Sequence, residues 1–427
     1  MSEAELARAE LVEAEARFQE EAERHLLRNY LGFLAHGLLG QTGFRLIQAP
    51  TFIPVYLELI SGSPLGVGLA RACQSFGMFL SPILGATRIE HRRRVLSMGF
   101  WIGGLMRVQL LGLALAGFLL SDLPALGAAC AFLALFGFFM GMQGVIFSTL
   151  SSKLIPVERR GRLLGLRNAL AGITAGAVGG VGGYLVDIEA LGNGYASTFL
   201  LAFVLTAAGL SMLAFLREPD SPVVRTPSRL GSRLRELPEL LRRDPGFTRY
   251  FLARALATMG RMSIPFYVLY AGQRVELDGA TQGLLTTAFV LAWSGGNLLW
   301  GEIADRTGFR AIFVASLLLW IASALVLLAA GDQRSVLVFL MVGLGAGFGG
   351  FQMSSQNLVL EFGSRANLPM RVAVANSASE LVGVIGPLIG GLIAAFVSYE
   401  AVFWVAIAFQ AAAVVWVLAA VPEPRHR

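Results

Sequence analysis

At 427 residues, with 55% hydrophobic and only 15% charged positions and 50 glycines, the chain is far too apolar for a soluble globular domain. It is a membrane protein, and its net charge of +6 points to anionic lipid headgroups rather than nucleic acid. Cys73 and Cys130 lack CxxC spacing and His25, His36, His91 and His426 are scattered, which excludes a disulfide framework, a metal site and a nucleophile dyad. Without a Walker loop, a GxSxG elbow or an HExxH pair, neither ATP use nor hydrolysis has a basis; the chain is not read as an enzyme, and no cofactor is expected.

The amino-terminal segment is Glu-rich rather than basic, so it is not a signal peptide. Ser2 and Glu5 form a capping box, and residues 1–28 read as a cytoplasmic amphipathic helix, either a solvated extension or a regulatory, partner-binding element. Twelve spans follow, near 29–58, 65–87, 95–120, 124–149, 163–186, 195–216, 248–272, 281–303, 309–330, 335–360, 370–397 and 400–421, each long enough for a hydrocarbon core of about 30 Å. Cys73 and Cys130 fall inside spans and serve as small apolar residues.

Lys and Arg collect in alternate loops: Arg88 and Arg92 to Arg94; Lys153, Arg159, Arg160 and Arg162; Arg225 through Arg243; Arg306 and Arg310; and Arg365. The opposite loops hold Arg274 and Arg334 alone. Both termini are therefore expected in the cytoplasm of a multi-pass cell-membrane protein. The spans divide into bundles at 29–216 and 248–421, with a polar linker at 217–247 and a tail at 422–427. Leu230, Leu234, Leu237 and Leu241 mark an interfacial helix in the linker.

The two halves repeat. Ile53-Pro54-x-Tyr56 returns as Ile264-Pro265-x-Tyr267, Phe139-x-Gly141-x-Gln143 as Phe348-x-Gly350-x-Gln352, and Asn168 with Gly182-Gly183 as Asn376 with Gly390-Gly391, at offsets of 211, 209 and 208. In repeat-built secondary transporters the solute site lies between the repeats near the bilayer midplane.

Charges at that depth are the sharpest signal, because a central arginine costs roughly 2.5–3.5 kcal/mol even on insertion scales. Arg45 sits near the middle of span one and Arg261 near the middle of span seven. Gln41, Arg45 and Gln48 share one helix face, and Arg254, Thr258 and Arg261 repeat that spacing. Either the two arginines contact solute, or one is neutralised by Glu380, the carboxylate placed well inside span eleven. Glu380 is correspondingly either a proton carrier or a structural partner. Trp293 and Asn297, with Phe139 and Phe348, either wall a cavity or simply pack. Arg71 and Arg107 read as peripheral.

Between spans eight and nine stands GEIADRTGFR, residues 301–310. This resembles the loop signature of the major facilitator superfamily: Gly301, Asp305, Arg306, Gly308 and Arg310 fill their places and Phe309 departs. The resemblance implies an all-α membrane fold of twelve helices in two pseudo-symmetric six-helix bundles. It also implies that Asp305 latches one conformational state, with Arg162 or the start of span five as partner. In the first-half copy, GATRIEHRRR at 85–94, Gly85, Arg93 and Arg94 persist but Ile89 takes the aspartate position. Either Glu90 substitutes or this loop anchors to headgroups.

The glycine runs GITAGAVGGVGG (172–183) and GVIGPLIGG (383–391) permit close helix packing. The second resembles the glycine-proline helix that superfamily antiporters carry on span five, although Pro387 lies in the second-half copy. In this superfamily spans one, four, seven and ten line the path, which adds Gln143 and Gln352. The pairing of Arg45 with Arg261 is similar to the clamp of the organophosphate/phosphate exchanger branch.

The resemblance implies secondary active transport of a small organic solute by rocker-switch alternating access, and the excess of cation over anion on the central helices points to an anionic or zwitterionic one. The alternative is a proton-coupled exporter of hydrophobic drugs, siderophores or lipids. Expected partners are a small-molecule substrate, a proton or counter-ion and membrane lipids, with no nucleic acid and a monomeric state.

Overall fold

In the computed structural model, which describes residues 3–222, 224, 242, 244–329, 333–360 and 368–421, regular structure is helical throughout, with no strand among the described residues. That is what hydrocarbon demands, because a helix satisfies its backbone polar groups internally. Helix α1 (Glu3–Arg24) carries an exposed Arg17–Glu13 pair at 3.7 Å. The capping residue Ser2, the linker leucines, Arg365 and the tail lie outside the described residues.

Twelve membrane-crossing helices follow, in two six-helix bundles. Among the described residues nine helices are long and apolar enough to cross on their own. Span one is broken: α2 (Leu26–Gln48) stops at Ala49 and α3 (Phe52–Ser61) restarts beyond Thr51. Pro50 and Pro54 each lack the N–H that a continuous helix would need there. Span seven is broken at the related place, as α9 (Pro245–Gly260), a 3-10 turn at Arg261–Ser263 and α10 (Phe266–Gly272) after Pro265. Span eight, α11 (Gly279–Thr307), is continuous but carries Gln282, Thr286, Thr287, Ser294 and Asn297 from its first turn past its midpoint.

The remaining crossings of the first half are α4 (Pro64–Ile89), α5 (Leu96–Leu119), α6 (Asp122–Leu154), α7 (Val157–Asp187) and α8 (Gly194–Ser211). Those of the second are α12 (Phe309–Ala329), α13 (Arg334–Leu360), α14 (Leu368–Phe396) and α15 (Tyr399–Ala420). Side-chain caps start several of them. Ser63, Asn193, Asp244, Asp278 and Ser398 accept from the backbone N–H of Leu65, Ala196, Phe247, Thr281 and Ala401. Cys73 on α4 and Cys130 on α6 are free thiols on two helices packed against each other.

Two helix pairs, α7 with α11 and α4 with α14, join the bundles. Both use glycine for close approach: a Cβ at Gly183 would collide with the Gly279 carbonyl, and one at Gly68 with the Pro387 carbonyl. Hydrogen bonds follow the same seam. The Gly279 N–H donates to Asp187 at 2.5 Å, Gln282 Nε2 to the Tyr195 hydroxyl at 2.8 Å and Thr287 to the Gly176 carbonyl at 2.7 Å. Thr51, in the break of span one, meets Thr286 at 2.6 Å, and the Tyr399 hydroxyl binds the Glu58 carboxylate. These contacts lie on the side of the membrane away from both termini. Toward the termini these contacts stop: Gly161 and Gly165 of α7 and Gly301 of α11 have open space beside them, and Leu298, one turn past Ser294, is exposed.

Near the termini the first half is strapped by the segment leaving α8. Glu218, buried, accepts from the N–H groups of Val95 (2.9 Å) and Leu96 (2.7 Å) at the start of α5 and from Lys153 Nζ at 2.9 Å. Arg94 pairs with Asp220 at 2.6 Å. The basic loop after α4 is thus tied to its own bundle.

Candidate functional site

Arg45 is 2% exposed and lies where the bundles meet. Its Nη1 donates to the Asn168 carbonyl at 3.2 Å and to the Ser294 hydroxyl, and Nη2 lies 3.4 Å from Asn168 Oδ1. The guanidinium stacks 5.0 Å from the Trp293 ring centroid. Every one of these partners is neutral, and no ion pair offsets the guanidinium among the described residues.

The counterpart of Arg45 in the second half is Arg254 rather than Arg261. Arg254 Nη2 donates to Asn376 Oδ1 at 2.9 Å and Nη1 to the Ser355 carbonyl at 3.3 Å, reproducing the arginine–asparagine contact of the first half. Arg261 stands in the 3-10 turn that follows α9 directly, and it interacts electrostatically with Arg254. Its guanidinium carbon is 5.6 Å from the ring centroids of both Phe348 and Phe351. Glu380 on α14 interacts electrostatically with Arg261 and Arg254, and not with Arg45.

The other predicted residues divide. Trp293 stacks edge-on against Phe348 at 4.9 Å, so both rings lie beneath guanidinium groups as well as beside each other. Gln143 is 8% exposed, and neither of its amide atoms has a hydrogen-bond partner. Gln48 Nε2 reaches only the Met140 sulfur at 3.6 Å. Gln41 and Asn297 are half-buried, and Gln352 is exposed. Phe139 packs on Phe138 at 5.4 Å, away from the arginines.

In the signature loop Gly308 has φ +84° and ψ 163°, a conformation that only glycine adopts without strain, and it ends α11 one residue before α12 begins. Arg310 donates to the carbonyls of Val417 (3.2 Å) and Leu418 (3.0 Å) near the end of α15. Arg306 pairs with Glu302 at 2.6 Å, one turn back on its own helix. Gly301 borders open space. Asp305 and Arg162 are both exposed, and no ion pair joins them among the described residues. Gly85 packs against Met142 of α6, and Glu90 is half-buried at the end of α4.

Asn168, Asn376, Arg167 and Ser294 complete this polar interior without having been singled out for it by sequence. The asparagines already recur at an offset of 208, and Arg45 with Arg254 at 209, so the repeat arithmetic was the signal for that pairing.

The profile of the Major Facilitator Superfamily matches residues 37–268 and again residues 250–427. A vacuolar basic amino acid transporter 5 of Saccharomyces cerevisiae is 24% identical over 29% of the chain and 21% of its own length. A protein of Arabidopsis thaliana provisionally named glycerol-3-phosphate transporter 1 is 25% identical over 58% of the chain and 54% of its own. The chain thus spans about a fifth and about half of these curated relatives. A solved D-xylose-proton symporter superposes with a TM-score of 0.72 at 13% identity, covering 94% of this chain and 99% of that one. Two profile matches, one per bundle, on a duplicated twelve-helix architecture place the chain in the Major Facilitator Superfamily of membrane transporters.

Proposed function

We propose that the chain moves a small anionic or zwitterionic organic solute across the cell membrane by rocker-switch alternating access, with the solute between Arg45 and Arg254. The observation that carries this reading is the matched pair of buried guanidinium groups, each held by an asparagine, with neutral partners alone around Arg45. A charge so placed costs several kcal/mol unless something anionic offsets it. Glu380 answers Arg254 and Arg261 only in part, which leaves net positive charge at the centre. The name of the Arabidopsis relative points to the same chemistry.

With both termini cytoplasmic, the state described here is closed outward and parted inward. Release of the outer seam then accompanies closure on the cytoplasmic side, where Asp305 of the signature loop approaches Arg162 and the start of α7. Gly85 and Glu90 give the first-half loop a weaker version of that contact. Glu380 serves as the coupling carboxylate, and the transporter works as a monomer.

Counterflow in proteoliposomes tests the reading with labelled glycerol-3-phosphate, succinate and uncharged glycerol. Flux of an anion that is lost in Arg45→Gln and Arg254→Gln supports it. Export of a hydrophobic dye untouched by both substitutions supports the drug-exporter alternative instead.

A further inference from the structure

A second group of cations, in the amino-terminal bundle alone, is built around a gap in hydrogen bonding. Arg107 of α5 is 4% exposed; its Nε donates to the Thr206 carbonyl at 2.6 Å and Nη1 to the Gly103 carbonyl at 2.7 Å. Arg167 of α7 is 7% exposed and donates to no described residue. Its guanidinium carbon lies 4.4 Å from the Phe147 ring centroid, and its stem crosses Gly37 of α2, where any Cβ would collide with it. His36, also buried, has Nδ1 2.8 Å from the Gly209 carbonyl and its ring 5.5 Å from Phe147.

These groups converge. A Cβ at Gly40 would lie 3.6 Å from His36 Cε1 and 3.9 Å from Arg107 Nη2. A Cβ at Gly103 would lie 3.1 Å from both Arg107 Nη1 and Gln143 Nε2. Gln143 sits one helical turn from Phe147 with both amide atoms buried and unpartnered. No carboxylate accompanies the cluster among the described residues.

Fold symmetry does not require this charge. The repeat-related positions, 209 and 208 residues on, hold Ser316 for Arg107 and Ala375 for Arg167. The second bundle therefore packs the same architecture with neutral side chains. Buried donors that find no acceptor cost free energy individually, and guanidinium forks with an amide N–H between them match a group presenting several oxygen acceptors.

We propose that Arg107, Arg167 and Gln143 bind a carboxylate or phosphoryl group of a water-soluble solute, at a site separate from the Arg45–Arg254 pair. Gly37 and Gly40, which the Arg167 stem and the Arg107 fork approach, precede Arg45 by eight and five residues on α2, so this locus lies roughly 8–12 Å nearer the termini, close enough for Arg167 and Arg45 to repel each other. It is a waiting position for an anion between the open face and the central pair.

The test is isothermal titration of inorganic phosphate and of succinate into the full chain in a neutral detergent and a chloride-free zwitterionic buffer. The background is the double variant Arg45→Gln/Arg254→Gln, so that loss of the central site leaves this one readable. Expected is saturable binding of at least one probe, weakened at least about tenfold by adding Arg167→Met and again by adding Gln143→Leu, as loss of a charge-assisted bond or of a buried donor implies. The apparent Tm without anion should not fall in Arg167→Met, because an unpaired buried charge has been removed. Should that variant fail to fold, Gln143→Leu alone carries the test. Absence of binding in the double variant, or affinity unchanged by both further substitutions, overturns the proposal. So does binding of phosphatidylglycerol in mixed micelles with no response to either soluble probe, which assigns the cluster to a lipid headgroup.

Discussion

Arg254 donates a 2.9 Å hydrogen bond to Asn376, and Arg45 stands in the same relation to Asn168 in the other bundle. Lysine has the charge but not the fork that reaches asparagine and a second acceptor together. Arg45→Lys and Arg254→Lys are each expected to lower solute flux roughly ten- to a hundredfold, the equivalent of one charge-assisted bond. Counterflow in proteoliposomes, with size-exclusion profiles confirming folding, checks this; flux at the wild-type rate in both variants would remove the pair from the pathway.

The outer seam depends on backbone-to-backbone approach at Gly183 and Gly279. Valine at either position is expected to prise α7 from α11 there and shift the population toward the outward-open state. Spin labels placed on α7 and α11 near Asp187 and Gln282 should move apart by electron–electron resonance. An unchanged distance distribution would mean that the seam yields without opening.

Glu218 is the acceptor for the start of α5 and the partner of Lys153. Glu218→Ala strands two buried N–H groups and an ammonium and should cost about 2–4 kcal/mol, seen as a fall in apparent Tm. Glu218→Gln keeps an oxygen for Val95 and should lose less.

Gly308 holds a backbone conformation that a Cβ opposes. Gly308→Ala is expected to destabilise the α11–α12 junction by about 1–3 kcal/mol. Hydrogen exchange should show the change at residues 305–310 first; protection lost elsewhere but kept in that loop contradicts the account.

Asp278 caps α11 outside the membrane. Hydrogen bonds from the Thr281 hydroxyl and N–H, with Arg334 at 3.6 Å, hold its carboxyl below the ordinary aspartate value. A depressed value means that the stabilisation is present above the unfolded-state pKa of about 3.9 and is lost as pH falls through the folded one. Asp278→Ala should lower the apparent Tm at neutral pH, with Asp278→Asn in between, and the three proteins should converge in strong acid.

Hydrophobic length made the spans readable, because each crossing must hide about 20 residues whatever its neighbours do. The interruptions after Gln48 and Gly260 were not readable from hydropathy, since the apolar run continues across them; Pro50, Pro54 and Pro265 carried that information. Repeat arithmetic at an offset of 209 sets Arg254 opposite Arg45, while Arg261 stands in the turn after Gly260 with Glu380 and Arg254 nearby. Arg167 was missed because linear depth does not say which face of α7 meets α2 and which meets lipid. Gly308 and its neighbours were legible as a loop signature, whereas the tie between Arg94 and Asp220 joins segments 126 residues apart and has no local mark.

The paired interruptions have a mechanical consequence. A rigid rod docked along its length can only slide or tear loose as a unit, but a rod jointed partway lets one segment swing while the other stays seated. Thr51 keeps the short outer piece of the first rod anchored to the opposite bundle, and Gly260 with Arg261 supplies the matching elbow in the second. Each half of the carrier therefore has its own pivot, set close to the arginines whose surroundings must change.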